Sequence, residues 1–491
     1  MAPQKLNLPI NIGLFIISGV AAAFGQPDRG LLVCLLGFAF GYSGIFYLLR
    51  KLERGRVLVA FLFALGVFGF QLNWLATTHY HGIGIVFVYA LAVAIFAGQF
   101  AVLFGLGIGS FFSWRRGLFL ASMWTLIEWS RLYYFCGFPF STVGLLLTSD
   151  PLSMQMASVL GVYALSFWVI FTSYLMAFEK LKNWGACFVL PFVLGWAHMH
   201  YWEGKRDTGL SFDVALIQTG VMPGQKWGFE GKQLSLAFQW ERIFTFLEET
   251  KKKSFDWIVL PEVAMTGDVR ANLDMAEKLA RSYQSDVIIG LVDGLFNAAF
   301  HINPIDSIIS RYEKRVLVPG AEYLPFSGLK NFFARYGITS FFTPGTEAKV
   351  FMGKIPFAVS ICYEEGFAHL IREGRELGAK LFLNISNDGW FPKSRLPEEH
   401  FNLGRVRAVE NGVFVLRACN TGVTGAIDPF GRVLCAMKEK EGSGVQVVTI
   451  DGYSYPTIFS KWGHVPILSF CCLWVFVNCL IKRKRLSRLI I

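Results

Sequence analysis

Charged side chains are scarce in this chain. Only 16% of its 491 residues are Asp, Glu, Lys or Arg, against roughly a quarter in soluble globular domains. That scarcity excludes a wholly soluble protein. With 54% hydrophobic residues and a mean hydropathy of +0.45, segments that span a bilayer are expected. Cysteine is thinly spread too: nine residues without a CxxC pair exclude zinc ribbons and thioredoxin-like redox motifs. No His/Cys cluster has metal-ligand spacing, so no metal is expected. A phosphate-binding glycine loop is also missing. FGLGIGS (104–110) has a GxG pattern but lies inside an apolar run, where glycines serve helix packing. Internal repeats and low-complexity segments are absent.

Long apolar runs are plentiful. They fall near 8–24, 30–49, 57–72, 84–112, 117–134, 153–178 and 184–201, with one more at 465–481. None qualifies between 202 and 463. The expected organisation is a membrane domain over 1–201 with seven helices, an outward domain over 202–463, and an eighth helix with a basic tail over 464–491. The first helix is expected to be retained: Ala21-Ala22-Ala23 would suit a signal peptidase, but only Lys5 marks the region before it.

Positive charge sets the orientation. Alternate connections hold Lys5; Arg50, Lys51, Arg54 and Arg56; Arg115 and Arg116; Lys180 and Lys182; and the tail's Lys482, Arg483, Lys484, Arg485 and Arg488. The opposite loops hold only Arg29 and Arg131. Both termini are therefore expected in the cytoplasm, with 202–463 facing outward. The outward stretch has 30 basic and 30 acidic residues, so the net +11 belongs to the membrane flanks. Anionic lipid accounts for that excess, and nucleic acid is not an expected partner. Cys362, Cys419 and Cys435 fall in the outward domain, an odd number that leaves at least one thiol free.

Within 202–463 apolar strand runs alternate with helical patterns. Strands are predicted at 212–218, 256–262, 286–294, 305–310, 355–362, 380–386, 413–419 and 424–428. Helices are predicted at 232–250, from 367, and near 397–411. This interleaving predicts an α/β sandwich.

Three segments carry chemistry. DWIVLPE (256–262) ends a buried strand on Glu262. RYEKRVLVPGAEYLP (311–325) holds Lys314, followed by a rigid Pro/Gly turn around Glu322. IPFAVSICYEEG (355–366) ends a strand on Cys362. A carboxylate, an ammonium and a thiol suit acyl transfer: a base makes the thiolate, and a cation stabilises the oxyanion. The strand ends are where open α/β sheets place their sites. Each residue alone has a bland alternative, namely a loop carboxylate, a solvated lysine or a buried structural cysteine.

Together with QTGVMPGQKW (218–227), NDGWF (387–391), RAVENG (407–412) and NTGVTGAIDPFGRV (420–433), these segments resemble the nitrilase superfamily. With GFPFSTVG (137–144), GVYALSF (161–167) and the membrane runs, the chain resembles that superfamily's membrane-bound apolipoprotein N-acyltransferases. The resemblance implies an αββα sandwich beside an eight-helix bundle. It also implies a Glu262–Lys314–Cys362 triad, with Glu322, Tyr363 and Glu364 supporting it or the oxyanion. Trp227, Asn303, Trp390 and Phe391 are implied as pocket residues. The implied partners are a phospholipid acyl donor and a diacylglyceryl-apolipoprotein acceptor, with no cofactor and a monomeric chain. Cys419 stands where a small polar residue is usual. Glu128 and Arg131, at i and i+3 in an apolar run, are costly there and are read as a lipid head-group site or a structural pair. The glycine-punctuated stretch 320–350 is read as a movable lid. Two other readings stand beside this one: a tethered amidase that uses water as second nucleophile, and a transporter or assembly factor with an inert outer domain.

Overall fold

The computed structural model describes residues 8–134, 137–178, 181–206, 210–228, 233–323 and 342–487. Much of the stretch read as a lid lies outside the described residues. The chain divides into two compact units, Met1–Glu203 with Trp462–Ile491, and Gly204–Lys461.

The first unit is helical: Leu8–Phe24, Leu31–Lys51 (through a π-turn at Gly37–Gly41), Arg56–Gln71, Gly84–Gly107, Trp114–Ser130, Val162–Phe178, Leu181–Glu203 and Val465–Ser487. Eight apolar runs thus became helices, but not eight equal spans. Among the described residues, Leu31–Lys51 and Gly84–Gly107 are long and apolar enough to cross a membrane. Asn11–Phe24, Arg56–Gln71 and Val465–Ile481 are apolar but shorter. The run expected as one span over 153–178 is broken: Pro151–Leu160 meets Val162–Phe178 at 115°. Gly161 lies at the break with φ of 78°, a conformation glycine adopts without a Cβ clash. The interior of this unit is aromatic, with Phe46, Phe100, Phe104 and Trp124 ring to ring at 4.6–5.6 Å.

The second unit holds twelve strands: β1 (Phe212–Gln218), β2 (Trp257–Val259), β3 (Asp286–Asp293), β4 (Phe296–Asn303), β5 (Ser307–Glu313), β6 (Val350–Met352), β7 (Pro356–Ile361), β8 (Leu381–Ser386), β9 (Phe414–Cys419), β10 (Thr424–Ile427), β11 (Val433–Met437) and β12 (Gly444–Ile450). They form two six-stranded sheets, ordered β12-β1-β2-β3-β4-β5 and β11-β10-β9-β8-β7-β6. In each sheet three neighbouring strands are parallel and their flanks antiparallel.

Side-chain alternation explains the layering. On β1, Ala215 and Ile217 join a core with Trp240, Ile243 and Leu247 of the Leu236–Glu249 helix and Ala276 and Leu279 of the Val269–Tyr283 helix. The outer face of the second sheet does the same with Ile371, Phe401 and Ala408 of the Ala368–Glu376 and Leu396–Asn411 helices. The inner faces meet through rings: Trp257 of one sheet lies 4.6 Å from Phe357 of the other, and His301 lies 5.8 Å from Phe351. Helix, sheet, sheet, helix is the observed order.

Several elements are new relative to the sequence reading. The Val269–Tyr283 helix, β4, β6, β11 and β12 had no expectation. β4 (FNAAFHIN) is poor in β-branched residues and is a strand because β3 and β5 flank it. β12 pairs with β1 across more than 200 residues of sequence, in register Val214↔Val448.

Candidate active site

Three parallel-strand ends and one antiparallel strand end converge. The β2 segment continues past Val259, since Leu260 N–H donates to Ile288 O at 2.8 Å. It then wraps around Gly290, whose N–H donates to Pro261 O at 3.2 Å. A Cβ on Gly290 would lie 2.8 Å from Glu262 Cα and from Pro261 O, so only glycine lets the strands approach here. This close approach brings Glu262 in as a buried carboxylate.

Lys314 follows β5 directly and is 1% exposed. Its Nζ donates to Glu262 Oε1 at 3.0 Å and to Glu322 Oε1 at 2.8 Å. Asn297 Nδ2, from β4, donates to the same two oxygens at 2.7 and 3.0 Å. Glu322 is tied back by Val318 N–H to its Oε2 at 2.7 Å. Burial opposes the charge on Lys314, but Glu262 and Glu322 outweigh it and hold the ammonium well above its ordinary range. Such a pair persists in a dry interior because each charge has its partner.

Cys362 follows β7 and opens a short 3-10 turn, Cys362–Gly366. Its φ is +52°, a left-handed conformation rare for a residue with a side chain. Strained, exposed strand-to-helix turns of this kind present nucleophiles elsewhere. Burial pushes the Cys362 thiol well up; Glu262 adds to this, and Lys314 pulls the other way. The charges of Glu262 and Lys314 therefore act directly on this sulfur, which rests as a thiol.

Behind Cys362 lies a second buried network. The Cys362 carbonyl accepts from His400 Nε2 at 3.0 Å and from Asn384 Nδ2 at 3.4 Å. A carbonyl only accepts, so Nε2 carries the proton. His400 Nδ1 lies 2.8 Å from Asp388 Oδ1, and Arg417 donates to Asp388 Oδ2 at 2.9 Å and to Glu365. Burial disfavours the Asp388 carboxylate, yet His400 and Arg417 outweigh it and bring its pKa down to about 2. A depressed carboxylate pKa stabilises the fold above its unfolded value, near 4, and that stability is lost as pH falls through the folded value. For Asp388 this amounts to about 2 kcal/mol. Asp388→Asn should therefore lower the melting temperature at pH 7, with the difference from the parent shrinking as melts are taken from pH 4 toward pH 2.

Other expected residues fall in varied places. Glu364 is fully buried and braces the elbow: Oε1 accepts from Tyr312 OH (2.9 Å), Arg315 N–H (2.6 Å) and Val316 N–H (3.2 Å), and Oε2 from Ile361 N–H (2.8 Å). With four donors seated on it, Glu364 ties the Lys314 loop to the Cys362 turn. Tyr363 adjoins Cys362, its ring edge-on to Phe367 at 5.1 Å. Trp227, at 40% exposure, ends the short Pro223–Trp227 helix after β1, and Trp390 and Phe391 follow Asp388 half-buried.

One expectation is corrected, and one open choice narrows. Asn303 is not at the site: it ends β4, six residues beyond Asn297, and its Oδ1 accepts from Ile305 N–H at 2.8 Å while its Nδ2 donates to Asp286. It shapes the β4–β5 turn, and Asn297 at the other end of the strand is the amide that meets the carboxylates. Glu128 and Arg131 are both buried inside the helical unit. Glu128 accepts from Val143 N–H at 2.8 Å, and the Arg131 guanidinium sits 3.8 Å from the Phe96 ring centre and 5.2 Å from Trp124. Their partners lie within the bundle, which favours the structural reading. Sequence reasoning also missed Lys226, Asn297, Glu365, His400 and Arg417. Only Lys226 and Glu365 stood beside residues already singled out.

The sandwich is that of the carbon–nitrogen hydrolases: the carbon-nitrogen hydrolase family model matches residues 213–458. The apolipoprotein N-acyltransferase N-terminal domain model matches residues 18–175. An apolipoprotein N-acyltransferase of Chlamydia caviae is 30% identical, covering 92% of this chain and 94% of the relative. Another, of Shewanella oneidensis, is 28% identical over 80% of each chain. A mutant amidase from Nesterenkonia aligns with 50% of this chain and 92% of its own, at 18% identity and a TM-score of 0.38. The chain belongs to the apolipoprotein N-acyltransferase family, a branch of the nitrilase superfamily.

Proposed function

We propose that the chain transfers an acyl chain from a phospholipid to the α-amine of the N-terminal diacylglyceryl-cysteine of apolipoproteins. The observation that carries this reading is the buried Glu262–Lys314 pair whose charges act on the Cys362 thiol at a left-handed strand end. The two donors seated on Glu262 occupy Oε1, which leaves Oε2 to take the thiol proton.

Cys362 sulfur attacks the ester carbonyl of the phospholipid as its proton passes to Glu262. The tetrahedral oxyanion is stabilised by Lys314 and a backbone N–H of the elbow, at Tyr363. The C–O bond breaks, the lysophospholipid leaves with the proton from Glu262, and a thioester remains on Cys362. The acceptor amine then attacks this thioester, its proton goes to Glu262, and the departing sulfur is reprotonated as the amide forms. Glu322 and Asn297 keep Lys314 and Glu262 in register. Trp227, Trp390 and Phe391 supply apolar surface for an acyl chain. The reaction needs no metal or diffusible cofactor.

The reading extends to topology. Residues 1–201 and 464–491 form an eight-helix bundle in a bacterial inner membrane, with both termini cytoplasmic and residues 202–463 periplasmic, as the basic flanks require. The chain works as a monomer. A water-accepting amidase has the same sulfur chemistry, but the match of residues 18–175 to an acyltransferase-specific domain favours an amine acceptor. Intact-mass analysis of the detergent-purified enzyme after incubation with phospholipid tests this. An acyl adduct on Cys362 that is discharged to a diacylglyceryl-cysteine peptide supports the transferase. Discharge to water with the peptide unchanged would leave an amidase-like hydrolase.

A further inference from the structure

The base Glu262 is followed by a second unusual backbone position. Val263 has φ of +42°, an outlier for a β-branched side chain. The peptide that follows it is held from one side by the Ala264 N–H, which donates to Gly290 O at 2.9 Å. Its carbonyl accepts from Lys226 Nζ at 2.5 Å. Lys226 is 0% exposed and comes from the Pro223–Trp227 helix after β1, an element separate from those that carry Glu262, Lys314 and Cys362.

Charge makes the same lysine significant. The buried Glu262 and the half-buried Glu322 share the single ammonium of Lys314. The Cys362 thiol is neutral at rest, and Asp388 has its own partners in Arg417 and His400. Lys226 is the further cation whose charge acts on Glu262. With it the cluster of Glu262, Glu322, Lys314 and Lys226 is neutral. Without it the cluster has a net negative charge in a dry site, which a proton on a carboxylate relieves.

We infer that Lys226 is a positioning residue for the acylation step: it pins the Val263 turn and balances charge so that Glu262 stands as an oriented, ionised base. This rests on Glu262 being the base. Burial brings the Lys226 ammonium down to about 7, so its charge is present below neutrality. The groups facing it are the Val263 carbonyl and Glu262, and Glu262 in turn faces Lys314, Asn297 and Cys362.

The test is the pH profile of Cys362 alkylation by iodoacetamide, read by intact mass on the full-length enzyme, for the parent, Lys226→Met, Lys226→Arg and Glu262→Gln. In Lys226→Met the acidic limb should move up, giving a rate about tenfold lower near pH 6 that approaches the parent's toward pH 8. Lys226→Arg, which keeps the charge, should restore the limb. A Lys226→Met profile that overlies the parent's, or is lower by one constant factor at every pH, overturns the inference. If Lys226→Met does not accumulate folded, Lys226→Gln keeps a donor for Val263 without the charge and takes the same test. An unchanged profile for Glu262→Gln would instead remove the base reading, so the two failures are distinguishable.

Discussion

Cys362→Ala abolishes acyl-enzyme formation and N-acylated product together, a loss of about 10⁴-fold or more in turnover. The expected size follows from the chemistry. A ping-pong transfer stores the acyl group on sulfur, and Lys314, held as an ammonium between Glu262 and Glu322, has no free electron pair with which to carry it. A water or amine attacking the phospholipid directly would lack the covalent intermediate that divides the reaction into two easier steps. Stability should hardly change, because alanine meets the same left-handed backbone as cysteine. Cys362→Gly gives the sharper comparison: glycine relieves the +52° strain, so this inactive variant should be more stable than the parent by about 1 kcal/mol. Intact mass with a phospholipid donor and thermal melts of both variants check the pair of outcomes. An acyl adduct retained by Cys362→Ala would refute the assignment of the nucleophile.

Lys314→Met has the second-largest expected effect and strikes both stability and rate. It leaves Glu262 and Glu322, joined through Asn297, without their shared cation. Breaking a buried ion pair from one side costs about 3–5 kcal/mol. Losing the oxyanion donor lowers acylation by a further 10²–10³-fold or so. The sign of the pH dependence is specific. A carboxylate deprived of its cation and held near another has a raised folded-state pKa. Its stability contribution is therefore present at low pH and lost as pH rises through that value. The deficit of Lys314→Met relative to the parent should be larger at pH 8 than at pH 5 in parallel melts. An equal deficit at both would mean that the lysine acts by packing alone.

Much of the site was legible because two of its three candidate residues, Glu262 and Cys362, end strands readable by composition. WIVLP and PFAVSI are apolar, β-rich runs, so Glu262 and Cys362 had to emerge from a buried sheet at an edge. Lys314 was legible only through the motif around it, since a lysine in RYEKR looks solvated until β5 and Asn297 enclose it. The charged network behind Cys362 was hidden for a general reason. His400, Arg417, Glu365 and Asp388 come from separate segments, and no local pattern says that four ionisable side chains will neutralise one another in a space closed to water. Asn303 illustrates the reverse error: the resemblance implied a pocket role, and the length of β4 takes it to the end of the strand away from Asn297.

The sequence by itself determined the partition into apolar bundle and polar insert, because bilayer and water select composition over tens of residues. It also determined the alternation of strand and helix in the insert, because burial periodicity is local. Tertiary structure alone decided which strands are neighbours, including β12 beside β1, and that the apolar run at 153–178 breaks at Gly161. It alone brought Lys226 and Asn297 to the same carboxylate. Such pairings join residues far apart in the chain, and their energy comes from desolvating charges together, a quantity that no window of sequence contains.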